Sequence, residues 1–165
     1  MIGFKRNDGG RSAAGYKGLI GDCVVRAIAI ASGQPYQKIY DDLCRLSLKQ
    51  KNKLYQQVNK KTGFPTYGIS KKVYHAYLLD LGFQWVPVMS IGTGCTMHLH
   101  QDEIPDGILV CQLSRHLSAV IDKVVHDLYD QSRSGTRCVY GYYHKPKAKV
   151  NPIDKLTKGF RRISL

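Results

Sequence analysis

The apolar residues of this 165-residue chain change period once, near residue 82, and that switch constrains the fold more than any other feature. Before it, apolar positions recur at helical spacing. After it, they fall into short continuous or alternating runs. Val25, Ile28 and Ala31–Ser32 place a helix over Asp22–Ser32, with Asp22 at its N-cap and Gly33 as the C′ residue. Pro35 opens a second helix to about Leu48, with Ile39, Leu43 and Leu46 on one side. Ser70 caps a third, with Val73, Tyr77, Leu78 and Leu81 apolar and Gly82 at its end.

Beyond the switch, Phe83–Met89 reads as an edge strand because Pro87 interrupts it. Ser90–Asp106 reads as loop, and Ile108–Leu113 as a buried strand. His116–Ile121 and Val124–Leu128 flank Asp122–Lys123, a two-residue hairpin turn. Thr136–His144, dense in tyrosine, reads as another strand. Helices first and strands later predict an α+β fold, N-terminal helices packed on a C-terminal antiparallel sheet. Residues 1–21, with six glycines, read as an irregular leader within a single domain over 1–145. Lys49–Lys61 is a basic stretch, and Thr62–Gly68 a loop.

Composition excludes several classes. At 43% hydrophobic and 10% aromatic residues, the chain can form a core. No run of about 18 apolar residues suggests a membrane span, and Met1–Gly10 has no apolar signal region. Five cysteines without a CxxC pair argue for reduced thiols in a cytoplasm rather than a disulfide framework. Cys44, Cys111 and Cys138, among apolar neighbours, read as core thiols.

The net charge is +13 and uneven. Residues 1–72 carry net +10, residues 73–144 net −3, and residues 145–165 net +6. Such a field favours an anionic partner, an acidic protein complex or nucleic acid, with 146–165 as a basic tail. Lys147, Lys149, Arg161 and Arg162 are its partner-binding candidates. Tyr140, Tyr142 and Tyr143 beside His144 and Lys145 offer a face for single-stranded nucleic acid, or ordinary sheet residues. Cys95, His98 and His100 have metal-ligating side chains, but no second half with matching spacing follows, so no metal or cofactor is expected. Ser114 lacks the Gly-x-Ser-x-Gly elbow of a serine nucleophile.

Cys23 carries the chemistry. It stands at a helix start, where unpaired N–H groups and the helix dipole favour a thiolate. Asp22 opposes this unless its carboxylate caps the helix or pairs with Arg26. His116 begins a strand, where an imidazole can face a cleft, and the returning strand brings Asp127 diagonal to it and Asp130 just beyond. Either carboxylate can orient the ring.

"GDCVVRAIAIASG" resembles the cysteine-bearing helix of papain-like thiol hydrolases. "IPDGILVCQLSRHLSAVIDKVVHDLYD" resembles their His-strand, hairpin, Asp-strand unit, as in bacteriocin-processing peptidases and bacterial effector proteases. The whole string also resembles small proteins of tailed bacteriophages. The resemblance spans about residues 20–144 and implies a papain-like fold and a peptidase or isopeptidase, with a host target if phage-encoded. A deamidase or transferase uses the same groups. It further implies Cys23 as nucleophile, His116 as base and Asp130, at the end of the returning strand, as orienting acceptor. The family's oxyanion glutamine has no counterpart near Lys17–Gly18, which leaves Asn7 or the Cys23 backbone N–H for that role. The alternative is a non-catalytic basic inhibitor that engages an acidic complex or nucleic acid. A third reading is a zinc site through Cys95 and His98.

Overall fold

The computed structural model describes residues 1–18, 21–49 and 68–146. Within them the fold is α+β, three helices and a six-stranded mixed sheet. The helices are α1 (Cys23–Ser32), α2 (Tyr36–Leu48) and α3 (Lys71–Asp80). The strands are β1 (Gly3–Arg6), β2 (Gln84–Pro87), β3 (Ile108–Leu113), β4 (His116–Ile121), β5 (Val124–Asp127) and β6 (Gly141–His144). Their order across the sheet is β1-β5-β4-β3-β6-β2. None of the described helices is long and apolar enough to cross a membrane.

The helix signals correspond to local physics. Gly33 adopts the left-handed conformation at φ 69° and donates to the Ala29 carbonyl, closing α1. The Ser70 hydroxyl accepts from the Val73 N–H and opens α3. Pro35 sits one position before α2, in extended conformation, rather than at its first turn. The β4–β5 turn falls on Asp122 (φ 46°) and Lys123 (φ 63°), both left-handed as a type I′ hairpin requires. β2 lies at the sheet edge, where Pro87 costs no ladder bond.

The sheet departs from expectation at both ends. The leader contributes β1, which runs parallel to β5 from Gly3↔Val124 to Arg6↔Asp127, so the sheet is mixed rather than antiparallel. All four β1 residues are exposed, which leaves no alternation for sequence to display. The predicted strand over Thr136–His144 reduces to β6. Upstream of it, Cys138 forms a bridge with His98, and Val139 donates to the Met97 carbonyl before the chain joins β3.

One core lies between the helices and the sheet, with Val25, Ile28, Ile39, Leu43 and Leu78 against Val110, Leu117, Ala119 and Tyr143. A second, smaller core packs Leu109, Cys111, Leu113, Val120 and Val125 against Ile2, Leu99, Ile104 and Val139. Alternation along β3 and β4 feeds both. Tyr143 is fully buried and the Tyr142 ring packs on the second core, so these tyrosines serve the sheet. Trp85 lies over Gly141, where an added Cβ would come within 2.3 Å of the indole ring.

Cys95 and Cys138 form a disulfide across 43 residues, with Cα atoms 5.8 Å apart. This corrects the reduced-thiol reading and removes Cys138 from the core thiols. The spacing is irregular in sequence because the pairing depends on the loop after β2 folding back beside the strand that leads into β6. Cys44 and Cys111 are buried free thiols as expected.

Candidate functional site

Cys23 is the first residue of α1, and α1 packs its length across β4. His116 is the first residue of β4, beside the N-terminal end of that helix. Both line two adjoining cavities, of about 440 and 290 Å³, which meet at this pair. The structure therefore brings together two residues separated by 93 positions.

The aspartate on His116 is Asp127. His116 Nε2 lies 2.6 Å from Asp127 Oδ2. The same carboxylate accepts from Ser118 Oγ at 3.0 Å, Arg26 Nη1 at 2.7 Å and the Leu128 backbone N–H at 2.7 Å. Asp130 is exposed and accepts from the Ser132 N–H instead, which corrects its assignment as the orienting acceptor. The reason is where β5 ends. Pairing of Ala119 with His126 sets Ser118 against Asp127, diagonal to His116, and the chain leaves the sheet after Asp127.

An ionised carboxylate accepts only, so Nε2 carries the proton it shares with Asp127 and Nδ1 is left for the sulfur. Burial alone would raise the Cys23 thiol. Hydrogen bonding to His116, the His116 charge, the Leu117 backbone N–H and the Arg26 charge outweigh it, and the thiol falls below its ordinary range. Burial alone would lower His116. Its bonds to Asp127 and Cys23, with their charges, outweigh that and push it up to about 9. Burial works against the Asp127 carboxylate too, yet its bonds to His116 and Arg26 hold it below the usual range. The pair thus leans toward thiolate and imidazolium. By contrast, burial and the nearby Asp41 push Cys44 up to about 11, and burial alone pushes Cys111 up to about 12.

A line of buried alternating charge supports the site. Asp22 (6% exposed), Arg26 (4%) and Asp127 (2%) lie in sequence through the interior. Arg26 Nε reaches Asp22 Oδ1 at 3.1 Å while its Nη1 holds Asp127. Asp22 also accepts from Arg11 Nε at 3.1 Å and from the Tyr36 hydroxyl. Its carboxylate does not cap α1. Of the two readings of Asp22, pairing with Arg26 is the one observed, and it offsets the repulsion Asp22 would exert on a thiolate. The Asp22–Arg26 spacing of four was visible in sequence as a helical ion pair. The contributions of Arg11 and Ser118 were not, because both depend on tertiary register.

The leader locks against this network. The Asn7 N–H donates to the Asp127 carbonyl at 2.8 Å, which extends the β1–β5 ladder. Gly9, at φ 65°, lies so close to α1 that an added Cβ would sit 3.0 Å from the Arg26 carbonyl. Tyr16 packs its ring on Tyr36 and Tyr40, with centroids 5.3 and 4.8 Å away. The Asn7 side chain interacts with the His126 ring at 3.3 Å and accepts from the Gly9 N–H at 2.9 Å. It lines neither cavity, so it is not placed to stabilise an oxyanion at Cys23.

The other candidates stand apart. Cys95 is consumed by the disulfide, His98 lies 3.2 Å from Glu103 and His100 lies 3.5 Å from Asp102, so these three side chains have partners of their own. No cluster of three metal-ligating side chains occurs among the described residues. Lys147, Lys149, Arg161 and Arg162 lie outside the described residues. No family model matches the chain, and neither a curated protein nor a solved structure matches it.

Proposed function

We propose that the protein is a papain-like thiol hydrolase acting on peptide or isopeptide bonds. The observation that carries this reading is the line from Cys23 through His116 to Asp127, with sulfur and imidazole at the junction of two cavities. In this reading the Cys23 thiolate attacks a carbonyl carbon, and the C=O pair moves onto oxygen. The Cys23 backbone N–H, at the open end of α1, faces the developing charge. His116, protonated, gives its proton to the leaving amine as the C–N bond breaks, leaving an acyl-enzyme thioester. Neutral His116 then takes a proton from water, the hydroxide attacks the thioester, and the acid leaves with Cys23 returned as thiolate. Asp127 keeps the ring oriented through both steps, and Arg26 keeps Asp127 ionised.

Acyl trapping tests the proposal. The protein is mixed with an activated ester of a short peptide, quenched in acid and weighed intact, with the adduct mapped by digestion. The expected result is one acyl group on Cys23, absent in Cys23→Ser and much slower to form in His116→Ala. Acylation spread over surface lysines with Cys23 unmodified would overturn it.

A further inference from the structure

The larger cavity beside Cys23 has a chemical character that the hydrolase reading does not require. Its lining includes Lys71, Arg115, Tyr74 and Gln112, over a floor of buried Ile69 and Leu117. Among the described residues, Lys71 and Arg115 are its cationic side chains besides His116, and no carboxylate lines it. Neither cation forms an ion pair among the described residues. Lys71 is instead held with its Nζ 5.0 Å from the centre of the Trp85 ring, an arrangement that fixes a cation without neutralising it. Arg115 also lines the smaller cavity, so it borders both of the spaces that meet at Cys23. The smaller cavity does contain a carboxylate, Asp127, but Arg26 and His116 already occupy it.

Two further observations point to a ligand. Arg115 occupies a left-handed backbone position, φ 53°, in the tight β3–β4 turn. A residue with a Cβ is disfavoured there, and glycine or asparagine is the structural choice. Arginine at this position, directly before His116, suits a charge requirement better than a folding one. Second, Gln112 lines the same cavity, and its buried Oε1 has no hydrogen-bond partner among the described residues. A buried acceptor left unpaired is destabilising, and a substrate N–H would relieve that.

We infer that this cleft selects an acidic peptide: an aspartate or glutamate next to the scissile bond pairs with Arg115 and Lys71 while a peptide N–H donates to Gln112. The inference rests on the hydrolase reading only for its scissile bond, because the recognition is an equilibrium property of the cleft.

The test uses the full chain with Cys23→Ala, so that binding is read without turnover. Fluorescent decapeptides with Asp or Glu at the positions flanking a central glycine are titrated at physiological salt. Their Asn and Gln counterparts are titrated beside them. Acidic peptides should bind about fivefold more tightly than the amide versions, the upper end for one solvent-exposed charge pair. Arg115→Asp should erase or reverse that preference, and Arg115→Asn should weaken it. Both replacements tolerate the left-handed turn. Lys71→Gln should act in the same direction. Equal binding of acidic and amide peptides, or a preference unchanged in Arg115→Asp, overturns the inference. A second arm compares anionic iodoacetate with neutral iodoacetamide on Cys23 of the unmodified protein. A Cys23 inert to both, with the peptide preference intact, would overturn the hydrolase reading and support a cleft that binds acidic peptides.

Discussion

Arg26→Met removes the one cation that joins Asp22 to Asp127 while keeping the buried length of the side chain. Breaking a buried ion pair by deleting one partner typically costs about 3–5 kcal/mol, since the other charge is stranded. Here neither acid is left bare. Asp127 keeps His116, Ser118 and the Leu128 N–H, and Asp22 keeps Arg11 and Tyr36. The lower end applies, about 3 kcal/mol, against a total of roughly 5–15 for a domain. Urea unfolding followed by circular dichroism should show this as a fall in midpoint, with Tm lower by about 6–12 °C. The acid limb of stability should move as well. Asp127, held low in the folded state, contributes stability that is present above the unfolded carboxylate range and lost as pH falls through its folded value. Without Arg26 that contribution should be smaller and its loss complete at a higher pH, because the folded carboxyl is no longer held as low. The Cys23 thiol should titrate higher, because one of the charges that lowers it is gone. Adding Asp127→Asn to Arg26→Met should cost less than the two single losses combined. A loss under about 1 kcal/mol, with Cys23 titrating as before, would refute the view that Arg26 ties the site together.

Two further predictions concern the frame. In unreduced, unfolded protein a thiol reagent should count Cys23, Cys44 and Cys111 alone, and reduction should add Cys95 and Cys138. Opening that 43-residue loop should cost up to about 4 kcal/mol by chain entropy, read in Cys95→Ser/Cys138→Ser as a lower urea midpoint; five reactive thiols from the start would contradict the pairing. Gly141→Ala should cost about 1–3 kcal/mol by pushing on the indole 2.3 Å away, and the emission of Trp85, the sole tryptophan, should shift; unchanged emission and midpoint would refute that packing.

Local signals were the legible part of the fold. Asp22, Gly33, Ser70 and Gly82 each mark a helix end, and Asp122–Lys123 marks a turn, because caps and two-residue turns are decided within a few residues. The α+β order followed from the change of period. What escaped was long-range. β1 pairs with a strand 121 residues away through exposed residues, and the disulfide joins two loops brought together by the sheet. The site shows the same division. Cys23, His116 and a following aspartate were legible as a pattern, but choosing between Asp127 and Asp130 needed the residue at which β5 leaves the sheet. Strand geometry alone left both aspartates open, and the resemblance-based preference for the end of the strand pointed to Asp130, which bonds Ser132 instead. Asn7 failed as an oxyanion donor because β1, unseen in sequence, carries it to His126 instead.

The central claim is that the sulfur of Cys23 and the imidazole of His116 act as one unit. The measurement that bears on it most directly is the rate of Cys23 acylation across pH, in the wild type and in His116→Ala. The account predicts acylation that is already established below the ordinary thiol range and declines as pH passes about 9, where His116 loses its proton, with the decline absent in the variant. A single rise near the ordinary thiol value, identical in both proteins, would contradict it.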